Sequence, residues 1–162
     1  SESEDSSHIS LYLCALFIWR FIVDHYLKKI IELSTKSLET NDVPIGAIIV
    51  KDNKIIGEGF NTRERDQNIL GHAEINAIKE ASARLNNWNL KGSILYVTLK
   101  PCAMCMDVIR ESRIDFVYYL LDKPKEKFEY SKTAVHNFDD SSAQEEYLKI
   151  LKDFFKKLRE KK

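Results

Sequence analysis

Two short stretches hold the side chains whose types and spacing could do chemistry. In Leu99 to Cys105, LKPCAMC, two cysteines stand at i and i+3 directly after a proline, and upstream in Gly71 to Ile75, GHAEI, a histidine is followed two residues later by a glutamate. One imidazole and two thiolates are three ligands for a tetrahedral zinc ion, and a set of three leaves the fourth position to water. A glutamate within reach of that water has a separate use, because it can take the proton and pass it on. An open metal position beside a proton carrier points to hydrolysis.

The elements around the two stretches must bring them together. Ser93 to Leu99, SILYVTL, is rich in β-branched and aromatic residues and reads as a strand covered on both faces, ended by Pro101. Cys102 to Ser112 reads as a helix on which Cys105, Val108 and Ile109 share a face with Cys102. His72 opens a second helix, about Ala73 to Leu85, with Ile75, Ile78, Ala81 and Leu85 as inner positions. Both motifs then lie at helix starts, where backbone dipoles favour thiolate. Glu74 is out of line with His72 on a regular helix, which suits it to the water and not to the metal.

The rest of the chain supplies a frame. Leu27, Ile30, Ile31, Ser34 and Leu38 mark one face of a helix running from Asp24 to about Asn41. Ile45 to Val50 and Lys54 to Phe60 form a hairpin about Asp52-Asn53, and Thr62 to Gly71 is a polar loop leading to His72. Phe116 to Leu121 is another strand, and Asp122 to Asp140 is polar with no clear period. Ser141 or Ser142 caps a last helix with Tyr147, Ile150, Leu151, Phe154, Phe155 and Leu158 as its apolar stripe. This order predicts an α/β fold, a mixed sheet with helices on both faces.

Length and composition agree with one ordinary domain: 162 residues, 44% hydrophobic, 31% charged and formally neutral. A nucleic-acid partner must therefore be met by a local basic patch. The three cysteines, Cys14, Cys102 and Cys105, are a poor disulfide framework and suit a metal site in a reducing compartment. Ser1 to Ser7 is acidic, Ser-rich and expected to be mobile. Ile9 to Val23 is strongly apolar but short for a membrane span, interrupted by Arg20, and follows an acidic segment where a secretory signal would be basic. It is read as neither a targeting nor a membrane segment, and burial against the domain or a second subunit is expected.

Each motif has a plainer reading. A CxxC can be a redox pair, although a thioredoxin-like motif would not explain the HAE; PCAMC can be a buried helix start and His72 a core or surface histidine. A closed structural zinc would need a fourth ligand, and Cys14, His8, His25 and His136 are all remote in sequence. The order and separation of the two motifs favour the catalytic reading.

HAE followed by PCxxC resembles the signature of the zinc nucleoside and nucleobase deaminases. Over Asp24 to Lys162 the chain is most similar to the bacterial tRNA adenosine deaminases, through VPIGAIIV at Val43 to Val50, GFN at Gly59 to Asn61, GHAEINAI at Gly71 to Ile78 and LYVTLKPCAMC at Leu95 to Cys105. SRI at Ser112 to Ile114 and DFFKKLR at Asp153 to Arg159 extend the likeness. The resemblance implies a three-layer α/β/α, cytidine deaminase-like fold with about five strands, residues 24–162 being the deaminase domain and 1–23 an extension of unassigned role. It implies Zn2+ on His72, Cys102 and Cys105, Glu74 as proton shuttle, Asn61 and the Ala73 backbone at the target base, and Ile45 and Leu99 in the pocket wall.

The implied activity is deamination of the wobble adenosine of a tRNA anticodon stem-loop to inosine, in a cytoplasmic homodimer with no membrane partner. Lys152, Lys156, Lys157, Arg159, Lys161 and Lys162 would contact phosphate. The alternatives are a deaminase of a free base or nucleotide (guanine, cytosine or dCMP) and a non-catalytic RNA-binding subunit of an editing dimer, which would have no use for Glu74. Two features depart from the family: Lys100 stands where glutamate is usual, and the segment after Leu121 lacks a Gly-rich pattern, with Asp122 about one position from an expected acidic residue.

Overall fold

In the computed structural model of this chain, residues 2–123, 136–137 and 140–160 are described. The chain divides into two compact units, Ser1–Glu126 and Lys127–Lys162. The first begins with helix α1 (Glu2–Lys36), closed by a 3-10 turn at Ser37–Thr40. Strands β1 (Gly46–Lys51) and β2 (Lys54–Phe60) follow, then a short helix α2 (Arg63–Asp66) and the longer α3 (Ala73–Leu85). Strand β3 (Ser93–Leu99), helix α4 (Ala103–Glu111) and strand β4 (Phe116–Leu121) complete it.

The four strands form one mixed sheet in the order β2-β1-β3-β4, with β1 antiparallel to both neighbours and β3 parallel to β4. Asp52 and Asn53 both take positive φ, the geometry of a two-residue hairpin whose twist matches its strands. Alternation along β1 builds the layers. Ala47 and Ile49 join Leu95, Val97, Ala77, Ile78 and Ile109 on the α3 and α4 face, while Ile48 and Val50 join Tyr26, Ile30 and Leu33 beneath α1. The result is the expected three-layer α/β/α arrangement. The strand count is four among the described residues, not about five; a fifth would fall within 122–140, most of which lies outside them.

Several boundaries move. Helix α1 does not start near Asp24 but runs unbroken from Glu2, so residues 2–7 are helical. Its buried positions are Tyr26, Ile30, Leu33 and Ser34, followed by Ser37 in the 3-10 turn, whereas Ile31 and, in that turn, Leu38 face solvent. The packed face is rotated by about one residue, and at its centre the strand meets the helix backbone closely. A Cβ on Gly46 would stand 2.0 Å from the Ile30 carbonyl oxygen. On α3, Ala77 is fully buried and Leu85 is not.

The apolar run from Ile9 to Phe21 is not buried on the domain. Phe17 is 77% exposed and Phe21 72%, because this half of α1 extends about 25 Å beyond Tyr26, past the sheet that covers the other half. By length and composition alone, α1 contains a stretch long and apolar enough to cross a membrane.

The second unit contains helix α5 (Ser141–Glu160). Its cap is neither Ser141 nor Ser142. The Ala143 amide donates to Asp140 Oδ1 at 3.0 Å, since Asp140 is the residue placed three before it.

Candidate metal centre and substrate cavity

His72 and Cys102 each occupy the position just before a helix, with extended backbone, and neither spends its side chain on a cap. One full turn into α4, Cys105 faces the same point as Cys102. His72 Nδ1 lies 3.3 Å from Cys105 Sγ and 3.7 Å from Cys102 Sγ, and all three donor atoms fall within 4.8 Å of one another. Metal–sulfur bonds of about 2.3 Å and metal–nitrogen bonds of about 2.0 Å at tetrahedral angles put nitrogen and sulfur about 3.5 Å apart. The three residues therefore fit a tetrahedral metal ion.

Electrostatics point the same way. Burial pushes the Cys105 thiol far up, and the neighbouring Glu74 and Cys102 push it further. A thiol so placed becomes a thiolate only beside a cation, and a metal ligand is such a case. Glu74, in the first turn of α3, is 4% exposed. Burial raises its carboxyl above the usual range, opposed by its own backbone N–H, His72, a hydrogen bond with Cys105 and Lys123. It adjoins the cluster without being one of the three donors.

His72 also forms part of the wall of a cavity of about 520 Å³, ample for a nucleobase and its sugar. Asn61, Ile45 and Leu99 line it too, and Ile45 and Leu99 are half-buried. Ala73 is fully buried and its methyl belongs to the core, so only its backbone, in the first helical turn where N–H groups lack helical partners, is suited to a ligand. Asn61 is more committed than a strand-end residue need be. Its Nδ2 donates to the Val43 carbonyl at 3.1 Å and its Oδ1 accepts from the Arg63 amide at 3.1 Å. One N–H and one lone pair remain for a substrate.

The sequence reading missed Asp42, Val43, Arg63, Glu64 and Lys123, which share this wall. It also took residues 62–71 as plain loop, where α2 forms. Asn76 was missed as well: its Nδ2 donates to the Phe60 carbonyl at 2.9 Å and to Thr62 Oγ1 at 3.1 Å, tying α3 to the end of β2. An Asn within an amphipathic helix is the only prior signal for it.

Lys100 meets Asp122 at 3.5 Å and lies 5.6 Å from the Tyr119 ring centroid. The reversed charge beside the cluster is thus answered by a carboxylate at the end of β4.

Residues 23–159 match the MafB19-like deaminase family. The chain is 42% identical over 95 residues to a tRNA-specific adenosine deaminase of Streptococcus pyogenes serotype M18, a match covering 59% of this chain and 60% of that protein. With the tRNA-specific adenosine deaminase of Bacillus subtilis it is 35% identical over 150 residues, covering 85% of this chain and 91% of that one. A solved structure from a study of A-to-I editing by tRNA:A34 deaminases superposes with TM-score 0.61 at 35% identity, over 63% of this chain and 74% of that chain. Guanine deaminase from Bacillus subtilis superposes with TM-score 0.64 at 27% identity, over 78% and 93%. These neighbours share the cytidine deaminase-like fold. With a family match over residues 23–159 and the Bacillus subtilis relative covered over 91% of its length, the chain belongs to the MafB19-like deaminases and, among them, to the group of tRNA-specific adenosine deaminases.

Proposed function

We propose that this protein hydrolytically deaminates the wobble adenosine of a tRNA anticodon to inosine. The observation that carries the reading is the juxtaposition of a His72, Cys102 and Cys105 cluster and a buried carboxylate with a cavity of nucleoside size. His72, Cys102 and Cys105 would hold zinc, which supplies Lewis acidity that makes water nucleophilic at neutral pH.

The chain's own groups do the rest. Glu74 takes a proton from the attacking water and delivers it to N1 of adenine as the water oxygen bonds to C6. It then carries the second proton to the amino nitrogen as the C6–N6 bond breaks and ammonia leaves. A carboxyl whose affinity for protons is raised by burial suits a group that must hold and release one in each step. Asn61 and the Ala73 backbone orient the base, and Ile45 and Leu99 exclude water around it.

A nucleic-acid substrate is supported by Arg63 and Lys123 in the cavity wall and by Lys152, Lys156, Lys157 and Arg159 on α5, which would meet phosphates. An anticodon loop offers unpaired bases that cost little to extrude. In this reading residues 24–162 are the deaminase domain, 1–23 an extension, and the working form a cytoplasmic homodimer. The 95-residue match spans about three fifths of the Streptococcus pyogenes relative.

The likeness to guanine deaminase favours one second reading, deamination of a free base. Incubation with an anticodon stem-loop carrying a wobble adenosine, beside free adenosine, cytidine and guanine, separates the two. Inosine in the stem-loop, abolished by Glu74→Ala at about one zinc per chain, is the expected result. Ammonia from the free compounds alone would overturn it.

A further inference from the structure

Most of the cavity wall comes from two separate segments, Asn41 to Ile45 and Asn61 to Glu64, and one buried carboxylate joins them. Asp42 is 3% exposed. Its Oδ1 accepts the Glu64 amide at 2.6 Å, and its Oδ2 accepts the Arg65 amide at 3.1 Å and the Thr40 hydroxyl at 2.7 Å. The two amides open α2, and Thr62, the residue placed to cap that helix, makes no capping bond with its own side chain. The capping acceptor therefore comes from 22 residues upstream.

A second set of bonds runs beside the first. Asn61 Nδ2 donates to the Val43 carbonyl, Asn61 Oδ1 accepts from the Arg63 amide, and Ser37 Oγ donates to the Asn61 carbonyl at 2.8 Å. Val43 and Arg63 each adjoin residues of the Asp42 bonds. The side chain of Asn61 is consequently aimed by two peptide groups whose positions depend on Asp42.

We propose that Asp42 is a positioning residue, which fixes α2 against the segment before β1 and so sets the placement of Asn61, Arg63 and Glu64 around the substrate. Its oxygens are occupied by protein donors, so it acts through these residues and not by touching the base. Glu64 and Arg65 are exposed. Their amides can turn to water when the carboxylate is removed, and the loss falls on substrate placement more than on the fold.

The inference rests on the tRNA deaminase reading, and the experiment separates the two. Steady-state kinetics on the anticodon stem-loop are measured for the zinc-loaded wild type, Asp42→Asn, Asp42→Ala and Thr40→Val, with zinc content and amide hydrogen exchange recorded for each. Asp42→Ala is expected to raise KM about tenfold with kcat within about threefold and zinc unchanged. Asp42→Asn, which keeps one acceptor and the shape, falls between Ala and wild type, and Thr40→Val gives the smallest change. Exchange accelerates at Glu64 and Arg65 and is unchanged in β1 and β3. The proposal is overturned if both Asp42 variants match the wild type, or if kcat falls while KM stands still. Failure of the underlying reading is distinct, because the wild type itself would then leave the stem-loop intact.

Discussion

Gly59→Ala tests the link between packing and site most directly. Gly59 lies in β2 under the first turn of α3, and a Cβ there would stand 2.2 Å from the Ala73 carbonyl oxygen and 2.5 Å from the Ala77 amide nitrogen. Both obstacles are backbone, so no rotamer relieves them. The strand or the helix must give by roughly 1 Å, at a cost of about 1–3 kcal/mol or more, as for other overpacked cores. Ala73 sits between His72 and Glu74, so the same displacement moves a candidate ligand and the proposed proton carrier. Misplacement by about 1 Å costs about a hundredfold in rate.

The expected outcome is a lowered urea midpoint together with about a hundredfold loss of kcat/KM on the stem-loop. Gly92→Ala is the comparison. There φ is +85° and the nearest atom, Lys51 Cε, is 3.7 Å away, so only the left-handed backbone is penalised, by about 1 kcal/mol with turnover unchanged. A Gly59→Ala protein with wild-type midpoint and turnover would refute the argument. So would equal losses of turnover in the two variants.

The two halves of α1 should respond oppositely to truncation of a side chain. Ile30→Ala, at 1% exposure, is expected to cost about 2–5 kcal/mol in urea unfolding, whereas Phe17→Ser, at 77% exposure, changes stability by about 0.5 kcal/mol or less. Lys100→Glu sets two carboxylates against each other, yet the Lys100–Asp122 pair is 52% and 70% exposed. A double-mutant cycle with Asp122→Lys should return a coupling of about 1 kcal/mol or less.

Asp42 gives a pH prediction. Burial raises its carboxyl, but the Thr40 hydroxyl and the Glu64 and Arg65 amides outweigh this and leave it below the usual carboxylate range. A depressed folded value means stability that is fully present above the unfolded pKa of about 3.9 and lost as pH falls through the folded one. The stability gap between wild type and Asp42→Asn should hold above about pH 5 and shrink below about pH 4. A gap independent of pH contradicts the bonding pattern.

Legibility followed the range of the interactions. The hairpin, β3, α3 and β4 could be read almost to the residue, because alternation, β-branching and the Asp52-Asn53 turn are local signals. The start of α1 could not. Ile9 to Val23 is apolar on every side and has no period to orient it, so its continuity with the amphipathic half appears only in three dimensions. The rotated face of α1 was hidden for another reason: Ser34 is buried where Gly46 lets the strand approach the helix backbone, and Ser37, just past the helix, where its hydroxyl meets the Asn61 carbonyl. The bond from Asp140 to Ala143 was within reach of the sequence, and the neighbouring serines simply compete for the same reading.

By itself the sequence singled out His72, Cys102 and Cys105 as a candidate donor set and Glu74 as the proposed proton carrier beside it, since ligand chemistry depends on residue type and helical spacing on local geometry. Only the tertiary structure decided what surrounds it. Asp42 and Asn61 serve the cavity through peptide groups of distant segments, and Lys100 finds Asp122 across the strand ends. Such pairings depend on where the sheet brings two loops together, and no local pattern encodes that.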